Sequence, residues 1–256
     1  MDVTNRFVLD FAARYARQHD AARVLDFGCG SGRVVRAGLD AGLAISGADV
    51  YYGGSKTRAE AEQDGLLGSA IREVRNGRLD FADETFDLVV NNQVMEHVED
   101  LDWVLGEIFR VLRPGGTVLS IFPSRDVFRE GHIGIPFAHW FKRGSQLRLL
   151  YAWGLRCLGM GTWKEEAPTC RQWAVDKLAW IDNYTHYRSR REIRSSFDRR
   201  FSNELRESDY IRFRLMDQPG RQAVAWLVEL PGIAPVARAV FRKLAFLVMV
   251  SKKADR

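Results

Sequence analysis

Val24-Leu25-Asp26-Phe27-Gly28-Cys29-Gly30-Ser31-Gly32 runs from an apolar strand pattern directly into three glycines, and residues 33–41 then resume with helical spacing. A strand that breaks into glycines and opens a helix is the start of a βαβ unit. Backbone without side chains lets a ligand approach closely, and free N–H groups at a helix start favour polar or anionic atoms. A glycine turn alone also occurs with no ligand, so its neighbours have to decide. Asp26 stands two places before the first glycine, where a carboxylate can hold an ammonium group. Asp49 ends the next strand pattern, roughly 20 residues beyond the loop, where an acid commonly takes ribose hydroxyls. The dinucleotide pattern G-x-G-x-x-G needs its third glycine at position 33, which is Arg33 here. A ligand with a ribose and a cationic amino-acid end fits this set better than a pyrophosphate does.

Outward from that loop, residues 3–18 have helical spacing, 44–50 repeat the strand pattern, a helix is expected over 55–63 and a weak third strand over 70–74. Residues 86–91 read as a strand and 101–112 as a helix, which Arg113-Pro114-Gly115-Gly116 stops as a turn; 117–122 form the next strand. Strands alternating with helices at this spacing predict an α/β fold with a mostly parallel sheet and helices on both faces. After Pro123 the alternation lapses for about 60 residues, longer than structureless loops usually run. Helices are expected at 146–158 and 188–201, and the last two of seven strands at 210–215 and 246–251. The expected organisation is one domain over 1–256, with a substrate-cap insertion at about 124–187.

Cys29, Cys157 and Cys170 are far apart and include no CxxC pair, which argues against a disulfide framework and against a zinc site. The first twenty residues carry scattered charges and no continuous apolar run, so no signal peptide is expected. The most apolar stretch, 244–250, is too short for a bilayer and reads as a buried strand. A cytoplasmic location is the expectation. The net charge of +5 is uneven: residues 132–200 hold 13 Lys/Arg against 6 Asp/Glu and five of the seven tryptophans. Basic residues interleaved with aromatics suit an anionic membrane surface, an acidic substrate or nucleic acid, and equally a solvated insertion with its own aromatic core. No recognised nucleic-acid module accompanies them, so nucleic acid is disfavoured.

The nine residues from Val24 to Gly32 resemble motif I of class I S-adenosylmethionine-dependent methyltransferases, of the type 11 kind. Three further blocks follow in the family's order: Leu79-Asp80-Phe81-Ala82-Asp83-Glu84-Thr85-Phe86-Asp87-Leu88-Val89-Val90, Val94-Met95-Glu96-His97-Val98 and Phe109-Arg110-Val111-Leu112-Arg113-Pro114-Gly115-Gly116. The resemblance implies a Rossmann-like, doubly wound fold with a helical insertion after strand five, and S-adenosylmethionine as cofactor. It implies that Asp26, Gly28 and Gly30 line the methionine end, that Asp49 holds the ribose hydroxyls and that Val50 packs on the adenine. Asn92 and Gln93 would lie beside the sulfonium. The family often has an acid shortly before the Leu79 block; here Arg75 and Asn76 stand there, leaving Asn76 as the adenine contact.

Such a cofactor carries an activated methyl, so the protein mainly aligns acceptor, methyl and sulfur and excludes water. A hydroxyl acceptor usually needs a general base, and histidine suits that task near neutral pH. The insertion after strand five offers His132 and His139, at the end of the sheet where ligands of such folds bind. Tyr184, His186 and Tyr187 form a second cluster, and His97 reads as a packed or capping histidine. The expected acceptor is a small, lipid-linked or sugar-linked molecule methylated on oxygen. Residues 137–158 would also suit peripheral membrane contact, with Lys142, Arg143, Arg148 and Arg156 toward the headgroups. Two other classes are weighed: a binding module that keeps the cofactor but lacks turnover, and an NAD or nucleotide-sugar enzyme on the same fold.

Overall fold

The structure is a computed structural model and describes residues 1–52, 56–75 and 77–255. The chain opens with helix α1 (Val3–Gln18), whose first turn is capped by the Asp2 carboxylate accepting from the N–H groups of Thr4 and Asn5. Then come β1 (Arg23–Phe27), α2 (Arg33–Asp40), β2 (Ala44–Asp49), α3 (Lys56–Gln63), β3 (Ile71–Glu73), β4 (Phe86–Asn92), α4 (Leu101–Val111) and β5 (Leu112–Phe122). The second half holds α5 (Gln146–Cys157), α6 (Cys170–Tyr184), α7 (Arg190–Asp198), β6 (Ser202–Leu205), α8 (Glu207–Met216), α9 (Ala234–Leu244) and β7 (Leu247–Lys252).

These strands form one seven-stranded sheet in the order β3-β2-β1-β4-β5-β7-β6. Strands β1 to β5 pair in parallel, while β7 runs antiparallel to both β5 and β6. The order reverses direction between β1 and β4, which opens a crevice at the carboxyl ends of the strands. Alternation along the buried strands supplies both faces. Leu25 and Val89 join Leu105, Ile108 and Phe197 under α4 and α7, whereas Val24, Leu88 and Val90 join Phe7, Val35 and Tyr210 under α1, α2 and α8. Asp87 anchors the start of β4: its carboxylate accepts from the Arg23 N–H and the Arg113 guanidinium.

Two expectations are corrected. Residues 210–215 are not a strand but part of α8. Their apolar side chains alternate in sequence, yet Tyr210 and Phe213 also lie three apart, and in helical form both pack edge-on against Phe7 of α1, with ring centroids at 5.2 and 5.4 Å. The sixth strand is instead Ser202–Leu205, a mostly polar edge segment with no apolar run to announce it. Arg113-Pro114-Gly115-Gly116 stops α4 as expected, but it lies inside β5 and not before it. Phe86 pairs with Leu112 and the ladder resumes at Leu88 with Thr117, so these residues bulge out of the register, with Gly115 at φ +74°.

The segment between β5 and α7 packs on a core of its own. Ile133, Ile135, Ala152, Ala174 and Ile181 surround Trp173, which is fully buried and donates its Nε1–H to the Thr162 carbonyl at 2.9 Å. Arg148 belongs to that interior as well: it is 2% exposed, donates to the Ala138 carbonyl and pairs with Asp182 at 2.5 Å. It therefore cannot face lipid headgroups, contrary to the expectation for 137–158. Cys157, at the end of α5, and Cys170, at the start of α6, are both free thiols. Among the described residues no single helix is long and apolar enough to cross a membrane.

Leu105 is fully buried where α4 meets the sheet. Leu105→Ala is expected to destabilise the fold by about 2–5 kcal/mol, the range for deleting a buried leucine side chain. Urea denaturation measures it, and a loss under about 1 kcal/mol would show that this side of the core collapses to refill the space.

Candidate functional site

The glycine loop is shaped from both sides. Gly28 adopts φ +75°, donates its N–H to the Ala48 carbonyl at 2.7 Å, and has no room for a side chain, since a Cβ would fall 2.3 Å from Val94 Cγ2. The Asp49 carboxylate accepts the Gly30 N–H at 2.8 Å through one oxygen and the Tyr51 N–H at 2.9 Å through the other. Tyr51 closes the ring by donating its hydroxyl to the Gly30 carbonyl at 3.0 Å. At the end of β4, Gln93 sits at φ +57°, an uncommon conformation for a residue with a Cβ, and its N–H is held by the Ile121 carbonyl at 2.7 Å.

These features border a cavity of about 660 Å³ at the crevice. Of the residues singled out for cofactor contact, Gly28, Asp49, Val50 and Gln93 line it. Asp26 and Gly30 lie behind that lining, and Asn92 turns away, donating its amide to Asn5 of α1 at 2.9 Å. Asn76 lies outside the described residues. The cavity also takes in Tyr52 from after β2, His97 from after β4, Trp103 of α4, and Tyr184 and His186 at and after the end of α6.

Burial, aided by the nearby Asp49 charge, pushes the Asp26 carboxyl up to about 7 from 3.8. The side chain is 4% exposed, so the ionised form is poorly solvated until a cation arrives.

Next to His97, which lines the cavity, is a polar cluster. His132 Nδ1 lies 2.7 Å from Glu130 Oε1, and Tyr187 donates its hydroxyl to the same oxygen at 2.6 Å. Ile133 donates its N–H to the other Glu130 oxygen at 2.6 Å. Burial would raise Glu130, but its bonds from His132, Ile133 and Tyr187 outweigh that and hold it below the usual carboxylate range. Burial and the Glu130 charge together push the Tyr187 phenol far up. His97 Nδ1 meets the Tyr184 carbonyl at 2.6 Å, and its Nε2 lies 3.3 Å from His132 Nε2. Burial pushes His97 down, favouring the neutral ring, and pushes Glu96 up to about 8.

The two histidines expected as catalytic are placed differently, although neither lines the cavity itself. His132 joins the pair with His97, which borders the cavity. His139 is 9% exposed and packs at a tilt against Tyr187, with ring centroids at 4.9 Å and Nε2 3.1 Å from the Arg125 carbonyl. Glu96, His97 and Glu130 were passed over as site residues in the sequence. The pairing of His97 with His132 joins positions 35 apart, and only the two-residue spacing of Glu130 and His132 was local enough to see.

Comparison with known proteins adds to this geometry. A family model described as a methyltransferase domain matches residues 25–120, from β1 into β5. Ubiquinone biosynthesis O-methyltransferase of Mesorhizobium japonicum is 33% identical over 139 residues, covering 52% of this chain and 54% of that protein. The protein of that name from Parvibaculum lavamentivorans is 36% identical over 136 residues, covering 52% and 54%. The chain spans about half the length of these curated relatives. An S-adenosylmethionine dependent methyltransferase from Mesorhizobium loti superposes with a TM-score of 0.54 at 17% identity, over 96% of this chain and 98% of that one, which shows a shared fold.

The raised Asp26 carboxyl has a thermodynamic consequence. The unfolded chain releases this proton near 3.8 and the ligand-free fold near about 7, so folding stability falls as pH rises across that window. Asp26→Asn removes the loss. Its stability relative to wild type, from urea denaturation without ligand, is expected to be a few kcal/mol more favourable at about pH 8 than at about pH 4. An unchanged difference between the two pH values would show that Asp26 ionises freely in the fold.

Proposed function

We propose that this chain, whose residues 25–120 match a methyltransferase domain model, is a class I S-adenosylmethionine-dependent methyltransferase that binds S-adenosylmethionine and methylates a hydroxyl oxygen of a small-molecule acceptor. The observation that carries the acceptor side is the His97–His132 pair at 3.3 Å, set beside a cavity bordered by the glycine loop.

The residues present fit the cofactor. The cavity is within the usual size of small-molecule sites, Gly28 leaves its floor bare, and a buried carboxylate stands behind the loop. When bound, the cofactor supplies a methyl already activated on a positively charged sulfur. Asp49, fixed by two N–H donors, keeps lone pairs free for ribose hydroxyls, and Val50 offers an exposed apolar surface to the adenine. Asp26 receives the ammonium end, and Gln93 borders the methyl-bearing region. Gly30 shapes the loop through its bond to Asp49, and Asn92 supports the end of β4 through Asn5.

On the acceptor side, His132 is the general base, and Glu130 orients its ring through Nδ1 so that Nε2 is free to take a proton. His139 is a positioning residue, packed on Tyr187 and so supporting the Glu130 carboxylate. The segment 124–187 serves as the substrate cap of a single domain. The aromatic side chains Trp163, Trp180 and Tyr184 favour an acceptor with an apolar part, and the surplus of cations there favours an anionic part, as in a lipid-linked or sugar-phosphate molecule. The exposed Leu147, Leu150 and Leu158 of this segment are the surface that would meet a membrane carrying such an acceptor.

Calorimetric titration with S-adenosylhomocysteine and NAD tests the cofactor. The first is expected to bind, NAD is not, and Asp49→Ala is expected to weaken the first at least about tenfold, or about 1.4 kcal/mol. His132→Ala is expected to lower turnover on a hydroxyl acceptor by about 10²–10⁴-fold while leaving S-adenosylhomocysteine affinity unchanged. Unchanged turnover would remove His132 as the base, and NAD binding in place of the sulfur compound would overturn the cofactor assignment.

A further inference from the structure

The two imidazoles at 3.3 Å present a puzzle of protons. His97 Nδ1 faces the Tyr184 carbonyl, which only accepts, so that nitrogen carries the ring hydrogen. His132 Nδ1 faces a Glu130 carboxylate on which the Tyr187 hydroxyl and the Ile133 N–H already converge, so it too is the donor nitrogen. With a hydrogen on each Nδ1, the two rings direct their Nε2 atoms at each other. Two lone pairs at this distance repel unless something electropositive lies between them.

Glu96 stands beside the pair. It is 2% exposed, and neither of its carboxylate oxygens has a hydrogen-bond partner among the described residues. A buried carboxylate left without partners is costly, and such groups in native folds are satisfied by a counter-charge or an ion. One Glu96 oxygen and the two Nε2-bearing rings offer ligand atoms that all lie within 4.8 Å of one another.

We propose that Glu96, His97 and His132 bind one divalent transition-metal ion, with zinc the ion best suited to two imidazoles and a carboxylate. Tetrahedral zinc at about 2.0–2.1 Å from each nitrogen places two such ligands about 3.3–3.4 Å apart, which matches the spacing of the pair. Each ring is also braced at its far nitrogen, His97 by a backbone carbonyl and His132 by a carboxylate, as metal-bound histidines are. Trp180 packs against both rings, with centroids 6.2 and 5.2 Å away, and keeps the surroundings apolar. Three protein ligands leave a fourth position open to water or to an oxygen of the acceptor.

The binding itself is independent of the methyl-transfer reading, and only its use rests on that reading. An acceptor hydroxyl held on the ion gives up its proton to solvent at lower pH than a free one, so the ion takes over the activation otherwise assigned to His132.

The test uses the full chain, stripped with a chelator and titrated with Co²⁺, followed by visible absorption, and with Zn²⁺, followed by calorimetry. One equivalent of each is expected, with the Co²⁺ spectrum of a four-coordinate nitrogen–oxygen site. Glu96→Gln and His132→Gln are each expected to weaken Zn²⁺ binding at least about tenfold, without changing the melting temperature of the stripped protein. Should either variant melt early, the stoichiometry and Co²⁺ spectrum of the wild-type chain decide alone. No uptake by the wild type, or uptake unaltered in both variants, would overturn the proposal and show that a shared proton joins the rings. S-adenosylhomocysteine titrated into the stripped protein separates the two readings. Its binding without metal uptake overturns only the metal site, and metal uptake without its binding overturns only the cofactor assignment.

Discussion

The Asp49 carboxylate is the tie on which the cleft depends. One oxygen holds the Gly30 N–H and the other the Tyr51 N–H, so a single side chain at the end of β2 fixes the loop after β1 and the turn after itself. Parallel neighbours have no hairpin to set their ends in relation to one another, and a carboxylate bridging two N–H donors supplies that relation. With the loop held, Gly28 can approach Val94 and α2 can begin where it does. The crevice between β1 and β4 then opens beside residues that are already ordered.

The sheet was legible because its strands are buried on both faces. Runs such as Val24-Leu25 and Leu88-Val89-Val90 have no choice of environment, and glycine or proline marks where they stop. Legibility failed where burial is one-sided. Residues 210–215 satisfy a strand pattern and a helix pattern alike, and contact with Phe7, nearly the whole chain away, selects the helix. The true edge strand, Ser202–Leu205, draws its stability from the ladder with β7 and not from apolar content, so nothing in its composition could mark it.

The same division holds for the site. Gly28, Asp49 and Gln93, which line the cavity, could be singled out because each sits at or just past the end of a strand, where local order along the chain already says what it faces. The cluster of Glu96, His97, Glu130 and His132 was not. Its members come from the turn after β4 and from the segment after β5, which are tied to the chain after α6 by the His186 N–H on the Glu96 carbonyl and the Arg125 N–H on the Arg188 carbonyl. His97 alone reads as a packed residue; opposite a second imidazole it becomes half of a polar centre.

The separate core around Trp173 has a consequence for how such a chain can change over generations. Residues that fill it contribute nothing to the interior layers of the sheet, so a substitution at Ile135 or Leu178 alters one compartment and leaves the other intact. Selection acting on that compartment can therefore rework it while purifying selection holds the interior of the sheet.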